Sequence, residues 1–149
     1  MELEKEISQE RFSTDYHKAA VNIIFTYNWL ISNMKNRYDD EGVTIQQYNI
    51  LRILRGQSGK AASINLLKSR MLDRMSDASR IVERLVQKKL VKKSLNSCDK
   101  RSVDIHISAS GLALLLRLDG QSNIENKLEK NLNKTEIIKL NNLLDKLRG

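Results

Sequence analysis

After Leu90 the apolar residues change their period from 3.6 to 2, and this switch constrains the fold more than any other feature of the sequence. Upstream, Ala78, Ile81, Val82 and Leu85 recur at three- and four-residue spacing, the stripe of one helix face. Downstream, Val103, Ile105 and Ile107 alternate with Ser102, Asp104 and His106, as in a strand with one buried face. Val91, Lys93 and Leu95 supply its partner strand. Between them Asn96, Ser97, Cys98, Asp99 and Lys100 are turn-forming or charged, so they predict a hairpin tip in solvent.

The rest of the chain reads as helix. Ala19, Ala20, Ile23, Ile24, Tyr27, Leu30, Ile31 and Met34 share one face of a long first helix over about 13–37, which Asp39, Asp40, Glu41 and Gly42 end. Thr44 with Gln47 three positions on is a capping box for a second helix through Leu54, closed by Gly56. Ser63 caps a short helix from Ile64 to about Met71, residues 72–75 make a tight connection, and Ser76 is the expected cap of the helix before the hairpin. Ser108 caps a long helix rich in leucine that reaches Leu132, and Asn133 with Glu136 opens a last helix carrying Ile137, Leu140, Leu144 and Leu147. The absence of proline and the presence of only six glycines agree. The predicted fold is mostly α with a small β-hairpin wing: a winged helix-turn-helix lobe over 44–108, flanked by helices in 1–41 and 109–149.

Charge narrows the partner. Lys and Arg outnumber Asp and Glu by 26 to 18, giving a net charge of +8, and such an excess favours a polyanion, either nucleic acid or a membrane surface. Six of those eight charges belong to residues 70–101, which hold ten basic and four acidic side chains. A single cysteine, Cys98, makes no internal disulfide, and a reduced cytosol is the expected setting. The charged N-terminus and the lack of any run of about 18 apolar residues predict neither a signal peptide nor a spanning helix, hence a cytoplasmic protein.

A short helix, a tight turn, a second helix and a basic hairpin form an order with a physical meaning. The major groove of duplex DNA admits one helix, whose N-terminal residues reach base edges while the preceding helix braces it across the backbone. The reader here is Ser76 to Lys89. Ser76, Asp77, Ser79 and Arg80 lie at its start, with Arg84 one turn on. Arg80 is the expected base contact, bonding guanine O6 and N7 as a fork, and Asp77 is positioned to accept from cytosine. Glu83 reads as part of a solvated face. In the hairpin Lys92, Lys93, Lys100 and Arg101 are expected at phosphates, with Arg101 also suited to a narrow minor groove, while Asp99 braces the tip.

The runs Ser79-Arg80-Ile81-Val82-Glu83-Arg84-Leu85, Lys88-Lys89-Leu90-Val91, Asp99-Lys100-Arg101-Ser102-Val103 and Ile107-Ser108-Ala109-Ser110-Gly111 resemble those of MarR-family transcriptional regulators. The resemblance covers about Thr44 to Gly111. It implies a homodimer on a pseudo-palindromic operator, with the N- and C-terminal helices, 1–41 and 109–149, forming the dimerisation lobe. For many members it also implies small aromatic or phenolic effectors. Two positions depart from the pattern: Lys89 stands where a helix-ending glycine is common, and Ser108 where threonine is commoner.

Phe25, Tyr27, Trp29, Met34 and Tyr48 are candidates for an effector pocket, although such a set is more often simply core. His17 and His106 are too few and too distant for a metal site, and neither a metal nor a cofactor is expected. With no glycine-rich phosphate loop, no zinc spacing and no nucleophile with a histidine and acid partner, the residues argue against an enzyme. The expected function is sequence-specific binding of double-stranded DNA as a transcriptional regulator, a repressor released by a small molecule. The rivals are a winged-helix module for RNA or protein and a basic amphipathic protein at membranes.

Overall fold

The computed structural model describes residues 2–97, 101–119 and 123–149, so Cys98, Asp99 and Lys100 of the expected hairpin tip lie outside the described residues. The chain divides into two compact units, Met1–Asn36 with Asn123–Gly149, and Arg37–Ser122.

The first unit is helical. It contains α1 (Leu3–Glu6), most of α2 (Asp15–Asp40), α7 (Asn123–Asn131) and α8 (Lys134–Arg148). The α1 turn, which the sequence does not announce, has no side-chain cap and buries only Leu3; the Glu4 carboxylate pairs with Lys18 on α2. Asn133 and Glu136 close the expected capping box of α8, with the Glu136 N–H donating to Asn133 Oδ1 at 3.0 Å and the Asn133 N–H to Glu136 Oε2 at 2.8 Å. No residue of α8 is buried.

The second unit holds the end of α2, then α3 (Ile45–Arg55), α4 (Ile64–Arg70), α5 (Ala78–Gln87), β1 (Val91–Leu95), β2 (Val103–Ile107) and α6 (Ala109–Asp119). The leucine-rich stretch expected as one long helix is thus described as α6 and α7, with 120–122 outside the description. Both halves of the Thr44–Gln47 box are made at 3.2 Å. α3 is the hub, packing against α4, α5, α6 and β2, and its Ile50, Leu51 and Leu54 sit in the core with Leu67, Val82, Leu85, Ile105 and Leu115. On its outer side Tyr48 lies against buried Tyr38, ring centroids 4.8 Å apart, and accepts from Arg52 Nη1 at 2.9 Å. Burial, with Tyr48 beside it, pushes the Tyr38 hydroxyl up to about 12, so it stays neutral. Among the described residues no helix is long and apolar enough to cross a membrane.

The two strands pair antiparallel from Val91↔Ile107 to Leu95↔Val103. Ala62 adds a bridge to Ile105, exchanging N–H···O bonds of 2.9 and 3.0 Å, which fastens the hairpin to the loop before α4. The chain enters and leaves this hairpin through two tight fittings. At the exit from α5 the Lys89 N–H donates to Val86 O and the Leu90 N–H to Leu85 O, a Schellman ending that puts Lys89 at φ 59°. This is the position where the resemblance places glycine, and the reason is the left-handed backbone. Lys89→Gly is therefore expected to stabilise the protein by about 1 kcal/mol, read as a rise of about 2–4 °C in Tm; an unchanged or lower Tm contradicts the strain. At the entry to α6, Ser108 Oγ accepts from the Gly111 N–H at 3.0 Å and donates to Lys89 O at 2.8 Å. Serine performs the capping expected of threonine there.

Candidate nucleic-acid interface

α5 is the reader helix of the sequence analysis, and its amphipathicity positions the site. Ala78, Val82 and Leu85 are buried against α3, α4 and β1, which leaves Ser79, Arg80, Glu83, Arg84 and Gln87 exposed on the opposite face. Among the described residues the guanidinium groups of Arg80 and Arg84 have no hydrogen-bond or ion-pair partner. With Thr44, Gln46, Ser76 and Asp77 they line one shallow surface groove at the N-terminal end of α5.

The start of α5 differs from expectation in one residue. Asp77, and not Ser76, is the N-cap: its Oδ1 accepts the Arg80 N–H at 3.1 Å. Ser76 is occupied elsewhere, its hydroxyl donating to Asp73 Oδ2 at 2.6 Å, while Asp73 Oδ1 accepts the Met75 N–H at 3.0 Å. The Ser76 hydroxyl first and the Met75 N–H second hold the Asp73 carboxyl below its ordinary value. The expected cytosine contact of Asp77 therefore starts from a carboxylate already used to cap the helix.

The hairpin separates its two lysines by the alternation of the pleat. Lys93 shares a face with its buried partner Ile105 and forms an ion pair with Glu83 of α5, so it ties the wing to the reader. Lys92 stands on the other face opposite His106, exposed. Arg101 is exposed at the far end of the hairpin. Lys88, counted in the basic stretch, turns inward: its ammonium donates to Gly42 O and, at 3.2 Å, to buried Gln47 Oε1. Sequence reasoning missed Lys88 and Asp73 as positioning groups. The Asp73-x-x-Ser76 spacing was the available signal for the second.

Of the pocket candidates, Phe25, Trp29 and Met34 are half-buried and Tyr27 exposed on α2 in the first unit, whereas Tyr48 belongs to the second and packs on Tyr38. No group of three metal-ligating side chains occurs among the described residues.

No family model matches the sequence, and no curated protein matches it. Solved structures do. A MarR mutant from E. coli complexed with operator DNA superposes with a TM-score of 0.72 at 24% identity, over 99% of this chain and 99% of that one. The organohalide-sensing transcriptional regulator RdhR in its 2,4-dichlorophenol-bound form gives 0.82 at 19% identity, over 94% and 85%. AbsC, a MarR family transcriptional regulator from Streptomyces coelicolor, gives 0.76 at 19%, over 93% and 96%. By this likeness, with the helix, turn, helix and hairpin described above, the chain is a winged helix-turn-helix protein with the fold of the MarR-family transcriptional regulators.

Proposed function

We propose that the protein is a cytoplasmic, homodimeric transcriptional regulator that occupies an inverted-repeat operator and is released by a small-molecule effector. The observation that carries this reading is the pair Arg80 and Arg84, unpartnered among the described residues on the open face of a helix whose other side is sealed in the core. A cationic face fixed this way is complementary to the floor and walls of the major groove, with Arg80 nearer the helix start, where base edges are reached. Lys92 and Arg101 supply phosphate contacts from the wing, with Ser76 just before the reader helix and Ser79 in its first turn. Lys100 belongs to the same proposal, with Asp99 as brace.

The dimer follows from apolar surface that the single chain leaves uncovered. In α8, Ile138, Leu140, Leu143 and Leu147 are exposed, as are Ile23, Ile24 and Tyr27 on α2. A second copy covers such faces at the least cost, because a two-fold axis makes one surface serve both partners. Release by an effector is supported by the phenol-bound neighbour: a ligand that prefers another spacing of the two readers shifts the population away from DNA.

Selection of the preferred duplex from random oligonucleotides tests the reading, since a regulator enriches one inverted repeat and a non-specific module enriches none. Lys92→Ala is expected to weaken all sequences alike and to reduce the slope of log K against log salt by about two, one for each subunit of the dimer. Lys93→Ala is expected to change the slope less, because its ammonium is already paired with Glu83. Equal slopes for the two variants contradict the division between the faces of the wing.

A further inference from the structure

The turn before α5 displays two large apolar side chains that the fold does not use. Met75 is 95% exposed and Leu72 87%. Neither belongs to a loose segment: the Leu72 N–H donates to Asn49 Oδ1 of α3 at 3.0 Å, and Asp73 holds both the Met75 N–H and the Ser76 hydroxyl. Three side-chain hydrogen bonds thus fix the backbone of a turn whose apolar residues face water. Arg74 lies between them, exposed, and Arg80 follows in the first turn of α5. A surface that sets apolar groups among unpartnered guanidinium groups, at the end of the helix that enters the groove, matches a partner carrying methyl groups among phosphates.

Resting on the regulator reading above, we infer that Met75, with Leu72 in the same turn, reads thymine C5-methyl groups in the major groove beside the base pair that Arg80 contacts. Thymine is the base that carries an apolar group on its major-groove edge, and small apolar side-chain contacts distinguish it there. Methionine suits the task because its unbranched thioether adjusts to a methyl whose position varies with local duplex geometry. The turn therefore adds a preference for T·A pairs next to the guanine read by Arg80.

Deoxyuridine provides the test, since replacing dT by dU keeps pairing and the O4 acceptor and removes only the methyl. The selected duplex is expected to carry thymine beside the guanine in each half-site. Single dU replacement there is expected to weaken the wild-type protein about fourfold, the worth of one methyl group withdrawn from water. Met75→Ala, which removes the contact in both half-sites, is expected to bind the unmodified duplex about 15-fold weaker and to lose the distinction between dT and dU, whereas Arg80→Ala keeps it. Met75 and Arg80 are both exposed, so these variants fold. An operator lacking thymine there, a flat dU scan, or a Met75→Ala protein that keeps the full dU penalty overturns the inference while leaving the regulator reading intact. Unchanged DNA affinity in Met75→Ala does the same and assigns the apolar pair to a protein partner. Failure of any duplex to be enriched overturns both.

Discussion

Gly111→Ala is expected to cost about 3 kcal/mol or more of folding stability and to lower Tm by about 6–12 °C. A Cβ on Gly111 falls 2.3 Å from Leu90 O and 2.8 Å from Ile107 Cγ1, far inside van der Waals contact. The obstacle is backbone that has no freedom to yield. Leu90 O accepts the Ser108 N–H at 3.0 Å, and Leu90 itself ends the Schellman turn of α5. Relief therefore requires α6 to lift from the base of the hairpin, which loosens the wing and buried Leu114, Leu115 and Leu118 together. Thermal unfolding of Gly111→Ala beside Ser110→Ala, an exposed neighbour expected within about 0.5 kcal/mol of wild type, measures the effect. Equal Tm values for the two variants contradict this close approach.

Arg80→Ala is expected to leave the fold intact and to weaken binding to the selected duplex about 30-fold or more, since each of the two half-sites loses a bidentate guanine contact worth about 1–3 kcal/mol. Stability is spared because Asp77 caps the helix through the Arg80 backbone N–H, which alanine retains, and because the guanidinium touches no partner among the described residues. Binding to random duplex should fall much less, since the phosphate contacts of the wing persist. Arg80→Lys is not expected to restore selectivity, because an ammonium lacks the planar fork. The comparison of specific with random duplex, by titration at fixed salt, decides the matter. An equal loss on both assigns Arg80 to the backbone and removes it from base readout.

Much of the architecture was legible because local chemistry and tertiary packing agree. The period switch at Leu90 located the hairpin, and the boxes Thr44–Gln47 and Asn133–Glu136 marked two helix starts that form as read. Ser76 was misread as a cap because Ser76 and Asp77 are equally good in isolation, and what decides is Asp73 taking the serine hydroxyl. Lys88 and Lys93 were counted as free charge for a related reason. A long stem lets an ammonium reach a carbonyl 46 residues away or a carboxylate on the next element, and no sequence spacing records such a contact. Lys89 is the opposite case: its departure from glycine was visible in the sequence, and only the backbone shows the left-handed strain that makes it a departure. Tyr48, grouped with the aromatic side chains of α2, turned out to be matched to Tyr38 and Arg52, a pairing set by how α3 docks.

Two copies of α5 are expected to enter successive major grooves of one duplex. Hydroxyl-radical footprinting of the selected duplex tests it most directly. Two equivalent protected half-sites in inverted orientation are expected, their centres one helical turn apart, about 34 Å. A single protected half-site, or protection spread evenly along the duplex, contradicts it.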